Sequence, residues 1–155
     1  MILKRASLCR ANEGGMQLTP KFQTLRVYFD KLEHKNRRWR MSDCLFCKMV
    51  KGEIKPDVVY EDDLVLAFRD INPQAPTHVL VVPKRHVSTI NDLQDGEDEL
   101  LAGRLFLTAK KIAEQEGLAD SGYRTVMNCN EAAGQSVFHI HLHVMGGRNF
   151  SWPPG

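Results

Sequence analysis

The sequence predicts an α+β protein with a mostly antiparallel, five-stranded sheet, one short helix and one long helix. Three observations support this class: short apolar segments are separated by turn residues, one longer segment has helical periodicity, and the last apolar segment alternates residue by residue. At 155 residues the chain fits one domain of ordinary size. It has no apolar run near the ~20 residues that span a bilayer, so a membrane-embedded protein is excluded.

The predicted elements follow one another along the chain. A short helix begins after Asp43 and ends at Gly52, and a long helix over residues 97–116 has apolar residues at helical spacing and ends before Gly117. Prolines in the loop at residues 72–76 prevent the sheet ladder from continuing there. Strands are predicted at residues 58–60, 64–68, 78–82, 123–127 and 137–145.

The net charge of +2 hides two unlike parts of the chain. Residues 1–40 carry ten Lys/Arg and three Asp/Glu, a net charge of +7, whereas residues 41–155 carry eleven Lys/Arg and sixteen Asp/Glu, a net charge of −5. We therefore predict a basic leader, residues 1–40, and one domain, residues 41–155. Because the domain is acidic, we expect it to bind no nucleic acid.

The leader contains Phe22, Leu25, Phe29 and Leu32 at helical spacing, ahead of a basic cluster at residues 35–40. Three interpretations stay open: an organelle-targeting presequence, a basic amphipathic helix on an anionic membrane surface, or upstream sequence that the domain does not need. The acidic domain opens cleanly at Met41, which favours the third. Residues 41–155 alone are then expected to keep full activity.

Cysteine use indicates a reducing compartment. Four cysteines in a chain of this length, with no signal peptide before them, are not typical of a secreted disulfide scaffold, so we expect a cytoplasmic protein. Cys44 and Cys47 form a C-x-x-C pair, which is typical of half a metal site or of a redox pair. Cys9 and Cys129 receive no role.

The last predicted strand carries three alternate histidines, His139, His141 and His143. Side chains of a strand point to opposite faces in turn, so all three imidazoles are expected on one face. The other face is then apolar and is predicted to lie in the core; its residues are Phe138, Ile140, Leu142 and Val144. Packing alone gives no reason for three adjacent imidazoles, so the row indicates function.

Two chemistries fit such a row. Histidines at positions i and i+2 of a strand can chelate zinc. Alternatively, one imidazole attacks a substrate while its neighbours fix its tautomer and orientation. The preceding loop favours attack on phosphorus, because residues 133–136 offer backbone N–H groups, an amide and a hydroxyl that suit a phosphate.

The segment His139-Ile140-His141-Leu142-His143-Val144-Met145 matches the H-φ-H-φ-H-φ-φ signature of the histidine-triad (HIT) superfamily, which the chain resembles over residues 43–155. Four further blocks resemble the Hint branch, the nucleotide-binding phosphoramidases. They are Phe68-Arg69-Asp70-Ile71, the segment from Pro73 to His78, Gly134-Gln135-Ser136 and the terminal Trp152-Pro153-Pro154-Gly155. The resemblance implies a HIT-like fold.

The resemblance also implies roles for the triad. His141 corresponds to the nucleophile that attacks the α-phosphorus and forms a nucleotidyl-histidine intermediate, which water hydrolyses. His143 and His78 correspond to groups beside the phosphate, and His139 to a residue that steadies the nucleophile. Ser136 corresponds to the hydroxyl that protonates the leaving group.

Further positions correspond to nucleotide contacts. The resemblance implies that Asp70 binds the ribose hydroxyls, a task for an acceptor-only carboxylate, and that Trp152 reaches the substrate of the partner subunit in a homodimer. The sheets of the two subunits are expected to join edge to edge. Phe46, Phe68, Ile71 and Leu80 correspond to an apolar purine slot, and Asn128, Gly134, Gln135 and Ser136 to contacts with phosphate or sugar.

The implied activity is hydrolysis of purine nucleoside phosphoramidates, such as an adenylated amine or lysine. Relatives that transfer nucleotides have Gln where this chain has His143, which favours water as the final acceptor. Two alternatives stay open: a nucleotide-binding interaction module with incidental hydrolase activity, and a zinc-dependent hydrolase that uses the histidine row.

The C-x-x-C pair resembles bacterial-type relatives that hold zinc. The corresponding ligands here are Cys44, Cys47, His86 and His139. Two thiolates and two imidazoles suit a structural zinc. The other interpretation is two reduced cysteines that pack as small apolar residues. No cofactor is expected for catalysis.

Overall fold

A computed structural model describes residues 43–154 of the chain. The predicted leader helix and the start of the domain at Met41 lie outside the described residues. Residues 43–154 form two α-helices and five strands: α1 (Leu45–Val50), β1 (Val58–Glu61), β2 (Val65–Arg69), β3 (Thr77–Pro83), α2 (Glu99–Gln115), β4 (Tyr123–Val126) and β5 (Leu142–Gly146). Among these residues, no helix is both long and apolar enough to cross a bilayer.

All five strands form one antiparallel sheet in the order β1-β2-β3-β5-β4, which confirms the predicted fold class. β1, β2 and β3 form a meander, so each pairs with the next along the chain. β5 then inserts between β3 and β4, with Leu80 opposite His143 and His78 opposite Met145. This pairing brings the histidine of β3 close to the histidine of β5.

Each face of the sheet is covered by one helix. Alternate residues of β2 and β3 point to opposite faces. On one face they pack with Leu101, Leu105 and Ile112 of α2, and on the other with Phe46 and Cys47 of α1. Because both faces are covered, β2 and β3 are apolar almost throughout.

β5 is shorter than predicted, because it begins at Leu142 and not at residue 137. Its partner β3 ends at Pro83, which has no N–H for a ladder. The N–H of Ile140 donates to the carbonyl of Val87 instead, at 2.7 Å. Residues 137–141 therefore approach the sheet as an irregular segment.

The predicted core face of residues 137–145 is confirmed except at Phe138. Ile140, Leu142 and Val144 are fully buried in the cluster beneath α2. Phe138 is only half-buried and lines a cavity of about 90 Å³ with Ser136. Its placement differs from the prediction because strand alternation does not extend back to residue 138.

Candidate active site and metal centre

The three alternate histidines contribute to two different clusters. The ring centroids of His141 and His143 are 5.0 Å apart, whereas the His139 ring lies 5.0 Å from that of His86. Phe46 of α1 meets the rings of both His139 and His141 edge to face, at 5.8 and 5.3 Å. All three imidazoles stay on the α1 side of the sheet, as strand alternation predicts, but the irregular segment groups His139 with His86 and not with His141 and His143.

The tautomer of His141 follows from its backbone contact. Its Nδ1 lies 2.8 Å from the carbonyl oxygen of His139. A carbonyl only accepts, so Nδ1 carries the proton and Nε2 keeps its lone pair. Burial lowers the pKa of His141, so the ring is neutral near pH 7. A neutral imidazole with a free Nε2 lone pair is a nucleophile.

The tautomers of His78 and His143 are fixed in the same way. The N–H of Gln74 donates to Nδ1 of His78 at 3.1 Å, so the His78 proton lies on Nε2. This Nε2–H donates to Nδ1 of His143 at 2.9 Å, and the His143 proton therefore lies on Nε2. That Nε2 is buried and has no hydrogen-bond partner within the described part of the chain. His143 thus holds a free N–H donor beside the His141 ring.

Burial keeps this pair of histidines neutral. It lowers the pKa of His78 against the opposing effect of Asp70, whose carboxylate lies 3.5 Å from His78 Nε2. Burial, helped by the neighbouring His141 and His78 and opposed by Asp70, lowers the pKa of His143 to about 4. A buried neutral donor is suited to stabilising charge that develops on a phosphate.

The second cluster gathers Cys44, Cys47, His86 and His139, whose ligand atoms all lie within 4.8 Å of one another. His139 Nδ1 is 3.4 Å from the Cys44 sulfur, and His86 Nδ1 is 3.2 Å from the Cys47 sulfur. His139 Nε2–H donates to the Pro83 carbonyl at 2.8 Å, and His86 Nε2 is 3.2 Å from the Ser88 hydroxyl. The Pro83 carbonyl only accepts, so the Nδ1 lone pair of His139 faces the thiols, and Nδ1 of His86 lies beside them as well.

Burial works against free thiolates in this cluster. Together with the neighbouring Cys44, it raises the pKa of Cys47 to about 11. It likewise lowers the pKa of His139 to about 4. A metal cation in place of the thiol protons would stabilise the thiolates, because its positive charge offsets their negative charges. Two sulfur and two imidazole donors, with each Nε2 held by an outer group, fit a closed metal site. These residues could therefore hold a metal ion.

Asp70, His78 and His143 also bring three possible ligand atoms within 4.8 Å. This set does not fit a metal, because the N–H of Gln74 occupies Nδ1 of His78 and keeps the proton on Nε2. A metal at Nε2 would require His78 to lose both ring protons. The geometry therefore separates one metal-binding cluster from one proton-bearing cluster.

The apolar residues predicted for the purine do not all meet. Phe46, Phe68 and Leu80 are buried together on the α1 side of the sheet, and the two phenyl rings are 5.5 Å apart. Ile71 is fully exposed in the loop after β2, and Trp152 is 86% exposed in the C-terminal segment. Asp70 lies beside the histidines, with Oδ2 3.5 Å from Nε2 of His78, and its Oδ1 accepts from the N–H of Asn72 at 2.8 Å.

The loop before β5 is held by one buried amide. The Gln135 side chain accepts from the N–H of Asn130 at 2.8 Å and donates to the carbonyls of Ser88 and Val137 at 2.7 and 3.1 Å. Gly134 has a left-handed backbone with φ 83°, which a side chain would strain. Ser136 is exposed, and Asn128 is half-buried next to this loop. Gln135 thus supports the loop that carries Ser136.

Sequence reasoning missed the groups that fix the histidines. They are the N–H of Gln74 and the carbonyls of Pro83 and His139, all of them backbone atoms. Backbone atoms leave no residue-type signal in a sequence. Ser88 differs from them, because its hydroxyl belongs to a side chain two residues after His86 and is therefore visible in the sequence.

The fold and this site define a class of proteins in which a five-stranded antiparallel sheet carries a histidine triad beneath a short helix. A family model described as HIT domain matches residues 51–150. The chain belongs to the HIT domain family, which confirms the resemblance inferred from the sequence.

Relatives of this chain are found among curated proteins and solved structures. A purine nucleoside phosphoramidase of Escherichia coli is 53% identical over 106 residues, which is 68% of this chain and 88% of that protein. An uncharacterized HIT-like protein of Synechococcus elongatus is 52% identical over 113 residues, 73% of this chain and 97% of that protein. The crystal structure of a HIT family hydrolase from Legionella pneumophila matches with a TM-score of 0.71 at 56% identity, and covers 73% of this chain and all of that one.

Proposed function

We propose that this protein hydrolyses purine nucleoside phosphoramidates to a nucleoside monophosphate and an amine. The chain is accordingly a nucleotide hydrolase of the histidine-triad type. One observation carries the proposal: His141 has a free Nε2 lone pair, and beside it His143 holds a buried N–H without a partner. The relative from Escherichia coli, named purine nucleoside phosphoramidase, supports the substrate class.

The proposed reaction has two displacements at phosphorus. Nε2 of His141 forms a bond to the α-phosphorus as the P–N bond breaks, and the departing amine takes a proton from the Ser136 hydroxyl. Water then attacks the same phosphorus and gives one proton back to the Ser136 oxygen, the bond to Nε2 breaks, and the nucleoside monophosphate leaves. The N–H of His143 stabilises the charge on the phosphoryl oxygens in both steps.

The nucleotide is proposed to lie between the α1 side of the sheet and the loop after β2. Phe46, Phe68 and Leu80 form an apolar floor there, and Asp70 accepts hydrogen bonds from the ribose hydroxyls. Ile71 supplies exposed apolar surface in the loop after β2, and the exposed Trp152 is proposed to reach the nucleotide bound by the partner subunit. Contacts to phosphate come from Asn128, Gly134 and the loop that Gln135 supports. An apolar floor favours stacking over base-specific hydrogen bonds.

Zinc is the proposed occupant of the metal site, held by Cys44, Cys47, His86 and His139. Bound there, it would supply a structural cross-link among α1, the segment after β3 and the segment before β5. His139 then acts by holding the backbone carbonyl that orients His141, and it carries no proton in the reaction. A reducing compartment such as the cytoplasm suits this role, since both thiols must stay reduced.

We further propose a homodimer. β4 is an edge strand of the sheet, and the exposed Trp152 gives the C-terminal segment an apolar side chain to place in a partner's site. Light scattering is expected to give twice the mass of one chain, and a monomer would contradict this.

The function is tested by comparing turnover of adenosine phosphoramidate, a dinucleoside polyphosphate and a nucleotide sugar. We expect the phosphoramidate to be hydrolysed fastest, with AMP as product. Faster turnover of either other substrate would overturn the substrate class. A protein that binds AMP but hydrolyses none of the three would favour the interaction module.

A further inference from the structure

A chain of hydrogen bonds connects the C-terminal segment with the histidine that faces the reacting phosphate. Nε of Arg148 donates to the carbonyl of Gln74 at 3.1 Å. The N–H of Gln74 donates to Nδ1 of His78 at 3.1 Å, and His78 Nε2–H donates to His143 Nδ1 at 2.9 Å. Both polar backbone atoms of Gln74 are therefore occupied, one by the tail and one by the active site.

The C-terminal end of this series of hydrogen bonds is held in place by contacts of Arg148 and Arg124. The guanidinium of Arg148 stacks 4.2 Å from the ring centroid of Phe150, and that of Arg124 stacks 4.7 Å from the same centroid. Arg148 also donates to the carbonyl of Asn149, and Arg124 donates to that of Ser151. Stacking and paired donors of this kind orient a planar guanidinium. Of the two arginines, only Arg148 bonds to Gln74 among the described contacts.

The other end of the series, in the loop that contains Gln74, is equally constrained. The Gln74 side chain donates to the carbonyl of Asn72 at 2.9 Å, and the N–H of Asn72 donates to Asp70 at 2.8 Å. Pro73 removes further backbone freedom immediately before Gln74. Arg148 therefore holds the outer side of a loop whose inner N–H contacts His78.

The direction of these hydrogen bonds decides whether Nε2 of His143 presents an N–H or a lone pair to a substrate. With the N–H of Gln74 on His78 Nδ1, the His143 proton is forced onto Nε2. If that N–H moved away, His78 could carry its proton on Nδ1, its Nε2 would become an acceptor, and His143 would turn its own proton toward His78. The buried Nε2 of His143 would then present a lone pair, which repels a phosphoryl oxygen.

We propose that Gln74 and Arg148 are positioning residues for the hydrolysis: the backbone of Gln74, held by Arg148, fixes the tautomers of His78 and His143 and so keeps an N–H aimed at the phosphate. This inference rests on the proposed function. It adds that the C-terminal segment contributes to the rate through its own subunit's His143, independently of Trp152.

Nitrogen NMR of the imidazoles tests the tautomers directly and without substrate. In the wild-type protein we expect protonated Nε2 and unprotonated Nδ1 on both His78 and His143, with a coupling from the Gln74 N–H across its hydrogen bond. His78 protonated at Nδ1 would overturn the inference. Because no turnover is involved, this result is independent of whether the proposed substrate is correct.

Two pairs of variants test the positioning role. Arg148→Ala is expected to lower kcat about fivefold, the effect of one lost hydrogen bond, with little change in KM, and to give mixed His78 tautomers. Arg124→Ala loosens the same Phe150 stack but leaves Gln74 alone, so its His78 resonances should stay as in the wild type. Gln74→Pro removes the N–H, whereas Gln74→Ala keeps it and should retain the wild-type tautomers.

Equal loss of rate and equal tautomer mixing in Arg148→Ala and Arg124→Ala would contradict the specific role of Arg148. A folded Gln74→Pro variant with wild-type tautomers would contradict the role of the backbone N–H. Failure of the wild-type protein to hydrolyse adenosine phosphoramidate, alongside the expected tautomers, would overturn the proposed function and leave the positioning of His143 supported.

Discussion

Two pairs of imidazoles lie on the same side of this sheet and differ in where their protons are. His86 Nδ1 and His139 Nδ1 are 3.3 Å apart, and His78 Nε2 and His143 Nδ1 are 2.9 Å apart. In the first pair each Nε2 has an outer partner, and the Pro83 carbonyl on Nε2 of His139 leaves its Nδ1 lone pair next to two sulfurs. In the second pair one nitrogen donates and the other accepts.

The comparison shows that the outer contact of a buried histidine decides its chemistry. A carbonyl acceptor on Nε2 leaves Nδ1 free for a metal, whereas a backbone donor on Nδ1 makes Nε2 a proton carrier. His141 contacts the carbonyl of His139 through Nδ1, which leaves a lone pair on Nε2, the proposed nucleophile. The predictions below test each of these assignments.

The largest expected effect is on the nucleophile. His141→Ala removes the only group proposed to bond to phosphorus, so turnover of adenosine phosphoramidate should fall at least about a thousandfold. AMP binding, measured by calorimetry, should stay near the wild-type value because the apolar floor and Asp70 remain. Turnover close to that of the wild type would contradict the assignment.

The metal cluster is tested by composition and stability. Freshly purified protein is expected to contain one zinc per chain, and Cys47→Ser should lose it, with a fall in the free energy of unfolding of about 3 kcal/mol or more. Cys129→Ser is the matched control, because Cys129 lies outside the cluster. Well under one zinc per chain in the wild-type protein would remove the zinc site.

The proton-bearing pair is tested at His143. His143→Gln keeps an amide donor but loses the coupled imidazole, and we expect hydrolysis to slow about a hundredfold. Single-turnover kinetics should place the loss in hydrolysis of the nucleotidyl-histidine, since the His143 N–H is proposed to stabilise the phosphoryl charge in that step. An unchanged rate of this step would contradict the role of His143.

The same variant gives the smallest expected effect, a change in the pH dependence of stability. The pKa of His143 is lowered from 6.5 to about 4 on folding, chiefly by burial. The unfolded chain thus binds a proton in this range that the folded chain does not, so stability is complete above pH 6.5 and falls as the pH drops toward 4. Allowing for partial solvent screening, the loss is about 2 kcal/mol.

Urea denaturation of wild-type protein and His143→Gln across this range measures the difference. The free energy of unfolding of the wild type should decrease relative to that of the variant as the pH falls, because only the wild-type chain takes up the His143 proton on unfolding. A constant difference would mean that His143 is not a buried neutral group.

The sequence by itself determined the fold class, the core positions of β5 and the residues from which the site is built. Alternation required Ile140, Leu142 and Val144 on one side and histidines on the other, and the resemblance to zinc-holding relatives paired the C-x-x-C motif with His86. These features depend on side-chain type and strand period, which a sequence records directly.

Only the tertiary structure decided how the histidines divide and which nitrogen carries each proton. His139 leaves the row because Pro83 ends its partner strand, and the tautomers depend on backbone atoms of Gln74, Pro83 and His139. Long-range pairing brings those atoms to the rings, and a backbone N–H or carbonyl is the same at every non-proline residue. Their positions, and hence the division of one histidine motif between two clusters, follow from folding alone.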